Sequence, residues 1–236
     1  MTLHTTTRYD EELNDLRSHV MSMGERVQAA LDLAASAVNE RDQGLAQKII
    51  EQDKTINDLE MTCDEMTCTL LVRRQPAGGD LRFVIASNKI VTDLERMGDL
   101  VAGIGRASLR IGEHPMPDPD GLPQMIDKVR QQVGLVLNAF GRDDMQTAMQ
   151  VIADDDVIDE MNASIYQHLL DQMSKDPALI SATIPMTNIV KNLERIGDLA
   201  ASVAEMVVFM VSGKDIRHIS SLSAANRLLE PGEGRE

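Results

Sequence analysis

Apolar residues recur at every third or fourth position along almost the whole chain, a rhythm that fits helices and little else. The first stripe is Leu13, Leu16, Val20, Met23, Val27, Leu31, Ala34 and Val38. "NERDQG" (39–44) interrupts it, and a second stripe follows in Leu45, Ile49, Ile56, Leu59, Cys63, Met66 and Leu70. "RRQPAGGD" (73–80) predicts a turn from its Pro-Ala-Gly-Gly content, with Asp80 as the N-cap of the next helix. That third helix carries Leu81, Ile85, Leu94, Met97, Val101 and Ile104. "GEHPMPDPDGLPQ" (112–124) is rich in proline and glycine and reads as a linker between modules.

The plan is then written a second time. A fourth helix runs from about Met125 to Phe140 and stops at "GRDD". A fifth carries Val151, Ile152, Ile158, Met161, Ile165, Leu169 and Met173; "SKDPALIS" (174–181) is a proline turn; a sixth carries Ile189, Leu193, Ile196, Val203 and Met210. "VIADDDVIDEMN" (151–162) aligns with "IIEQDKTINDLE" (49–60), so Asp155 stands 102 residues after Asp53. "NLERIGDLA" (192–200) repeats "DLERMGDLV" (93–101), so Glu194 stands 99 residues after Glu95. A short length difference near the proline turn reconciles the two offsets. The expected architecture is all-α, a tandem duplication of an antiparallel three-helix bundle. Its expected parts are residues 1–112, a linker at 113–124, residues 125–214, and a tail at 215–236 with one short helical turn.

Composition narrows the function. Of 236 residues, 43% are hydrophobic but only 2% aromatic, which favours helix-on-helix packing over a sheet. The formal net charge of −15 repels phosphate backbones, and there is no aromatic set for base stacking, so direct nucleic-acid binding is not expected. Cys63 and Cys68 match neither a zinc nor a CxxC redox pattern and read as thiols in a reducing compartment. The N-terminus shows no apolar signal region, and the longest apolar run, "MVVFMV" (206–211), falls far short of the roughly 20 residues that a membrane span needs. The expected location is the cytoplasm, with membrane contact only through partners.

The repeated acidic phrases pose the main question. At about 100° per residue, Leu94, Met97, Val101 and Ile104 share one face of the third helix, while Glu95 and Asp99 fall together roughly opposite. Glu194 and Asp198 do the same on the sixth helix. Asp53, Asn57, Glu60 and Asp64 lie on one flank of the second helix, as do Asp155 and Asp159 on the fifth, so antiparallel neighbours can bring the acidic flanks together. Arg96 and Arg195 are placed to pair with Asp99 and Asp198, the simplest use of such a solvated face. Yet like charges four apart destabilise a helix by roughly 0.2–0.5 kcal/mol, and the mid-helix Gly98 and Gly197 cost about 1 kcal/mol each relative to alanine. Glycine admits the close approach of a backbone or ligand, and outward carboxylates offer oxygen ligands to a hard cation. Such a set suits Mg, Ca or Mn and accepts iron or zinc less selectively. The Glu-x-x-His signature of ferritin-like di-iron sites is missing, because no histidine has a glutamate three residues before it. His168 and Tyr166, near the acidic flank of the fifth helix, read either as extra ligands or as partly buried side chains.

The duplicated Glu-Arg-x-Gly-Asp phrases, "RRQPAGGDLR" (73–82), the two proline-turned modules and "GKDIRH" (213–218) resemble the PhoU family, accessory proteins of phosphate transport and negative regulators of the bacterial phosphate response. The resemblance spans about Tyr9 to His218. It implies two similar three-helix bundles whose acidic motifs, in some members, hold multinuclear metal clusters (Fe, Zn, Mn or Mg). Carried over by position, the metal residues are Glu95, Asp99, Glu194 and Asp198, with Asp53 and Asn57 on the second helix and Asp155 and Asp159 on the fifth. Asn57 departs from an all-acidic pair, and Asn192 stands where the first module has Asp93, so two sites of unequal affinity are expected. The implied role is signalling without turnover: contact with the ATPase subunit of a phosphate ABC transporter and with a sensor histidine kinase, in a homodimer, silencing the phosphate-starvation response and restraining uptake. The competing readings are a two-metal phosphoester hydrolase and a metal-free helical adaptor. Against the hydrolase, no nucleophile or phosphate-cradling glycine loop is placed near the acids.

Overall fold

The computed structural model describes residues 3–217, with side chains from Arg8 onward. Its helices are α1 (Leu3–Glu40), α2 (Gln43–Arg74), α3 (Gly79–Ile111), α4 (Leu122–Arg142), α5 (Met145–Ala153), α6 (Asp155–Lys175) and α7 (Ile180–Ser212), with a 3₁₀ turn at Pro177–Leu179. No strand occurs among the described residues. The all-α duplicated plan expected from the periodicity is the one observed: α1–α3 form one three-helix bundle, and α4, α5 with α6, and α7 form its repeat. The last residues of the expected tail, 218–236, lie outside the described residues, as does His218 of "GKDIRH".

Three local expectations are corrected. The fifth helix of the sequence is two helices, broken at Asp154. Three consecutive aspartates (154–156) repel one another and compete for backbone donors, and α4 captures the break. Lys128 Nζ donates to Asp154 Oδ2 at 2.7 Å, and Gln132 Nε2 donates to the Asp154 carbonyl at 3.1 Å. Asp80 is not the N-cap of α3; Gly78, at φ +58, holds that place, and Asp80 sits in the first turn and accepts the Tyr9 hydroxyl at 3.0 Å. Ile85 is turned outward at 39% exposure, because Phe83 and Val84 take the core positions of that turn.

The two bundles do not keep separate cores. Buried residues from every long helix form a single apolar cluster, including Val20 and Leu31 of α1, Leu94 and Met97 of α3, Val133 and Phe140 of α4, and Ile189 and Val203 of α7. α3 and α7 pack along each other more extensively than any other pair. They run antiparallel, since Ser202 Oγ donates to Asp93 Oδ2 at 2.8 Å while Asn192 Nδ2 donates to the Leu100 carbonyl at 3.3 Å. α1 and α4 cross the same seam. Arg130 pairs with Asp32 at 2.6 Å, and Arg17 pairs with Asp143 at 2.9 Å while lying over the rings of Phe83 and Phe140. The loop between the bundles is tied down at both ends: Arg41 donates to the carbonyls of Gly112 and His114, and Gln172 bonds the backbone of Asp118.

α2 and α6 are therefore outer helices, laid against α3 and α7, and two glycines set how close they come. A Cβ built on Gly98 would stand 2.9 Å from Ile56 Cδ1 of α2; one on Gly197 would stand 2.9 Å from Ile158 Cδ1 of α6. The contact is the same in both modules. Each glycine takes the penalty of its kind in a helix interior so that an isoleucine can seat against the backbone. Replacing Gly98 by valine forces that isoleucine out, a mismatch of about 1–3 kcal/mol, so thermal melting should fall by roughly 3–10 °C. The Gly98→Val/Ile56→Ala pair should recover part of the loss, and Gly197→Val should behave alike against Ile158→Ala.

Candidate functional site

The glycine–isoleucine contacts decide where the carboxylates go. Asp53 lies one turn before Ile56 on α2, and its Oδ1 is only 3.4 Å from the Cβ position of Gly98. Seating Ile56 thus draws Asp53 onto the α3 face that carries Glu95 and Asp99. Asp155 bears the same relation to Ile158 and the α7 face that carries Glu194 and Asp198. Asp99, Asp159 and Asp198 are exposed; Asp53, Asn57, Glu95, Asp155 and Glu194 are half-buried. The acids face solvent, and Asp99 and Asp198 meet across the α3–α7 seam, where they line one cleft with Arg96, Leu100, Arg195 and Leu199.

Electrostatics show which groups share each face. Burial, then the charge of Asp99, raises Asp53; Arg106 opposes the shift. Burial raises Glu95, reinforced by Asp99, Glu60 and Asp53. Glu60 is raised by burial, Asp64 and Asp99. In the second module Asp155 is pushed up to about 6 by burial and by Asp198, Asp159, Asp156 and Glu194. Burial raises Glu194, reinforced by Asp198 and Asp159, and burial raises Asp198, reinforced by Asp159; Arg195 opposes both shifts. These are fields of net negative charge that Arg96, Arg106, Arg195 and Lys191 only partly offset, and among the described residues none of the eight expected residues is in an ion pair. Arg96 does not neutralise Asp99 as the spacing allowed. It reaches instead to Asp93, at 3.8 Å.

The structure revises the membership of each set. Glu60, two turns beyond Asp53, belongs to the first set; its spacing of seven from Asp53 was the signal for it. At the position corresponding to Glu60 the second module has Asn162, and at the position corresponding to Asn57 it has Asp159. Each module therefore presents four carboxylates, Asp53, Glu60, Glu95 and Asp99 in one and Asp155, Asp159, Glu194 and Asp198 in the other. Asn57 does not leave the first face poorer in charge. Nor does Asn192 thin the second: both Asp93, at 8% exposure, and Asn192 point into the α3–α7 seam. The counterpart of Ser202 is Gly103, and Asn192 Nδ2 occupies the space where a Gly103 side chain would begin, 2.7 Å from its Cβ position. His168 lies nine residues beyond Asp159 on α6, about 13 Å along the axis, with its Nε2 buried and unpartnered. Tyr166 is 47% exposed.

The first face passes one test of a cation site. Asp53 Oδ1 and Asn57 Oδ1 are buried and accept no hydrogen bond, a costly condition for an acceptor unless something positive completes it. The donors are all oxygen, which suits hard cations. In the placements seen, however, no three His, Cys, Asp or Glu side chains among the described residues stand together as a ready-made metal site.

Two fused helical bundles, each bearing a set of acids without an ion pair among the described residues, define a duplicated helical-bundle protein; no described helix is long and apolar enough to cross a bilayer. A sequence model described as the PhoU domain matches residues 20–108 and again 122–207. The chain is 37% identical over 222 residues to the phosphate-specific transport system accessory protein PhoU homolog of Pseudomonas putida, covering 93% of this chain and 86% of that one. It is 31% identical over 217 residues to the PhoU of Escherichia coli K12, covering 92% and 90%. The crystal structure of PhoU from Pseudomonas aeruginosa superposes with a TM-score of 0.84 at 35% identity, covering 87% of this chain and all of that one. The phosphate transport system regulatory protein PhoU of Streptococcus pneumoniae gives 0.82 at 28% identity, covering 88% and 98%. The chain belongs to the PhoU family.

The raised Asp155 makes a signed prediction. With its folded pKa near 6 against an ordinary 3.8, the folded state binds more protons than the unfolded one between those values. Stability contributed at this position is therefore highest in acid, falls as pH rises from about 4 to 6, and stays low above that. In chelator-treated protein, Asp155→Asn should melt higher than the parent at pH 7.5, by about 1 kcal/mol or roughly 2–4 °C after solvent screening. The difference should vanish at pH 4. Equal melting at both pH values would show that the carboxylate is not strained.

Proposed function

We propose that this protein is a cytoplasmic, non-catalytic regulator of phosphate homeostasis. It contacts the ATPase subunit of a phosphate-importing ABC transporter and the cytoplasmic part of a sensor histidine kinase, and it holds the phosphate-starvation response and phosphate uptake in check. The observation that carries this reading is the double PhoU-domain match, with relatives named as phosphate-specific transport accessory proteins aligned over more than nine-tenths of the chain. The fold suits an adaptor. Its two bundles share one core, while α2 keeps apolar side chains in water, Met61 at 64% and Val72 at 76% exposure. The protein acts as a homodimer and reaches the membrane only through these partners.

In the same reading the two acidic faces take divalent or iron cations. Asp53, Asn57, Glu60, Glu95 and Asp99 would hold one site, and Asp155, Asp159, Glu194 and Asp198 the other. A bound cation supplies positive charge; the chain's part is to present oxygens that have no internal cation of their own. The metal-free adaptor is the second reading, favoured by the lack of a preassembled three-ligand group among the described residues.

Deletion in the parent bacterium should derepress phosphate-starvation genes in phosphate-rich medium. Affinity purification from solubilised membranes should co-purify the transporter ATPase and a sensor kinase. Normal repression in the deletion strain together with failure to co-purify either partner would reject the role. For the metal, adding Mn or Mg to chelator-treated protein should raise its melting temperature in proportion to log concentration. The Glu194→Gln/Asp198→Asn variant should lose about half of the bound metal measured by elemental analysis. No metal retained and no thermal shift would leave the metal-free adaptor.

A further inference from the structure

Between the C-terminal half of α3 and the N-terminal half of α7 runs a groove of about 610 Å³, which adjoins the first acidic face at Arg106 but takes none of its carboxylates into the lining. Its lining is Gly103, Arg106, Leu109, Arg110, Asn188 and Asn192. In a chain of net charge −15 this lining contains no carboxylate. Arg106 and Arg110 stand four apart on α3, so their guanidinium groups share one wall; Asn188 and Asn192 stand four apart on α7 and form the other. Arg110 makes no ion pair or hydrogen bond among the described residues. Among the described residues the one hydrogen bond of Arg106 is a long one, 3.4 Å to the backbone carbonyl of Asp99. Asn192 spends one amide hydrogen on the Leu100 carbonyl at 3.3 Å. The bare backbone at Gly103 gives Asn192 room, since its Cβ position lies 2.7 Å from Asn192 Nδ2.

Two ordinary explanations cover part of this. Arg110 sits in the last turn of α3, where a cation complements the helix dipole. Arg106 lies within electrostatic reach of Asp53. Neither accounts for two like charges placed side by side, which repel, facing two carboxamides across a cleft. The duplication sharpens the contrast. At the other end of the same seam, the positions corresponding to Arg106, Arg110, Asn188 and Asn192 hold Glu205, Phe209, Lys89 and Asp93. Only one end of the pseudo-twofold is lined by hydrogen-bond donors without acids.

We propose that this groove binds a small phosphate-bearing anion. Guanidinium forks match the geometry of phosphate oxygens, carboxamide N–H groups add neutral donors, and the absence of a lining carboxylate removes the competing acceptor. The cleft is within the size range of small-molecule sites, large enough for the phosphate tail of a nucleotide as well as for free phosphate. The site stands on this geometry alone and is independent of the signalling role proposed above.

The test is isothermal titration of the whole chain in about 0.15 M NaCl with excess EDTA, so that no metal on the acidic faces can bridge to the anion. Inorganic phosphate and ATP are the two probes. Saturable one-to-one binding with Kd of about 1 mM or tighter is expected for at least one of them. Tighter ATP binding would identify a nucleotide as the source of the phosphate, and equal or tighter inorganic phosphate the free ion. Arg110→Gln/Asn188→Ala, both exposed positions, should keep the melting temperature and weaken binding at least about tenfold, while Lys48→Gln on α2 leaves it unchanged. In the parent protein the side-chain amide NMR signals of Asn188 and Asn192 should shift along the same titration curve. No saturation by either probe up to about 10 mM overturns the proposal. So does undiminished binding by the double variant, or titration that leaves both amides unmoved.

Discussion

Much of this molecule follows from one contact made twice, an isoleucine of an outer helix seated on a glycine of an inner one. Ile56 on Gly98 and Ile158 on Gly197 set the spacing of α2 against α3 and of α6 against α7. A larger residue at either glycine would hold the helices apart. With the helices close, Asp53 and Asp155 are carried onto faces that already bear a Glu-x-x-x-Asp pair. The acidic fields are a consequence of backbone packing, and their shape is set by the core beneath them.

That arrangement works against the protein's own stability. Carboxylates with raised proton affinity and no internal cation, such as Asp155 near 6, are held in the charged form only at a free-energy penalty. Elsewhere the chain pairs its acids freely: Glu12 with Arg74, Asp32 with Arg130, Asp143 with Arg17, Asp154 with Lys128. On the proposed reading the unpaired acids serve an external cation, as perturbed groups at functional surfaces commonly do. The seam is built on opposite terms. Its core is apolar, its polar groups Asp93 and Asn192 are bonded, to Ser202 and Leu100, and it joins the modules through one shared core.

Most of the helical plan was legible in the residues because a 3.6-residue rhythm survives any tertiary context. Val20, Leu31, Ile56, Met97, Ile189 and Val203 all lie where that rhythm places them, in the core. The break at Asp154 was not legible from periodicity, since the stripe of Val151, Ile158 and Ile165 continues across it; it depends on Lys128 and Gln132 arriving from another helix. The outward placement of Glu95, Asp99, Glu194 and Asp198 could be read from a helical wheel. Their relation to Asp93 and Asn192 could not, because a wheel gives the direction of a side chain and not the neighbour it meets.

The helices, their duplication and the side of each helix that carries charge could all be read before folding, since they are properties of local spacing along a regular backbone. That the two bundles share one core, and that Arg106, Arg110, Asn188 and Asn192 line one cleft, came from the folded arrangement alone. Those outcomes depend on how α3 and α7 cross and how deeply α2 and α6 sit. Crossing and depth are fixed by the mutual fit of side chains far apart in the chain, which no local pattern records.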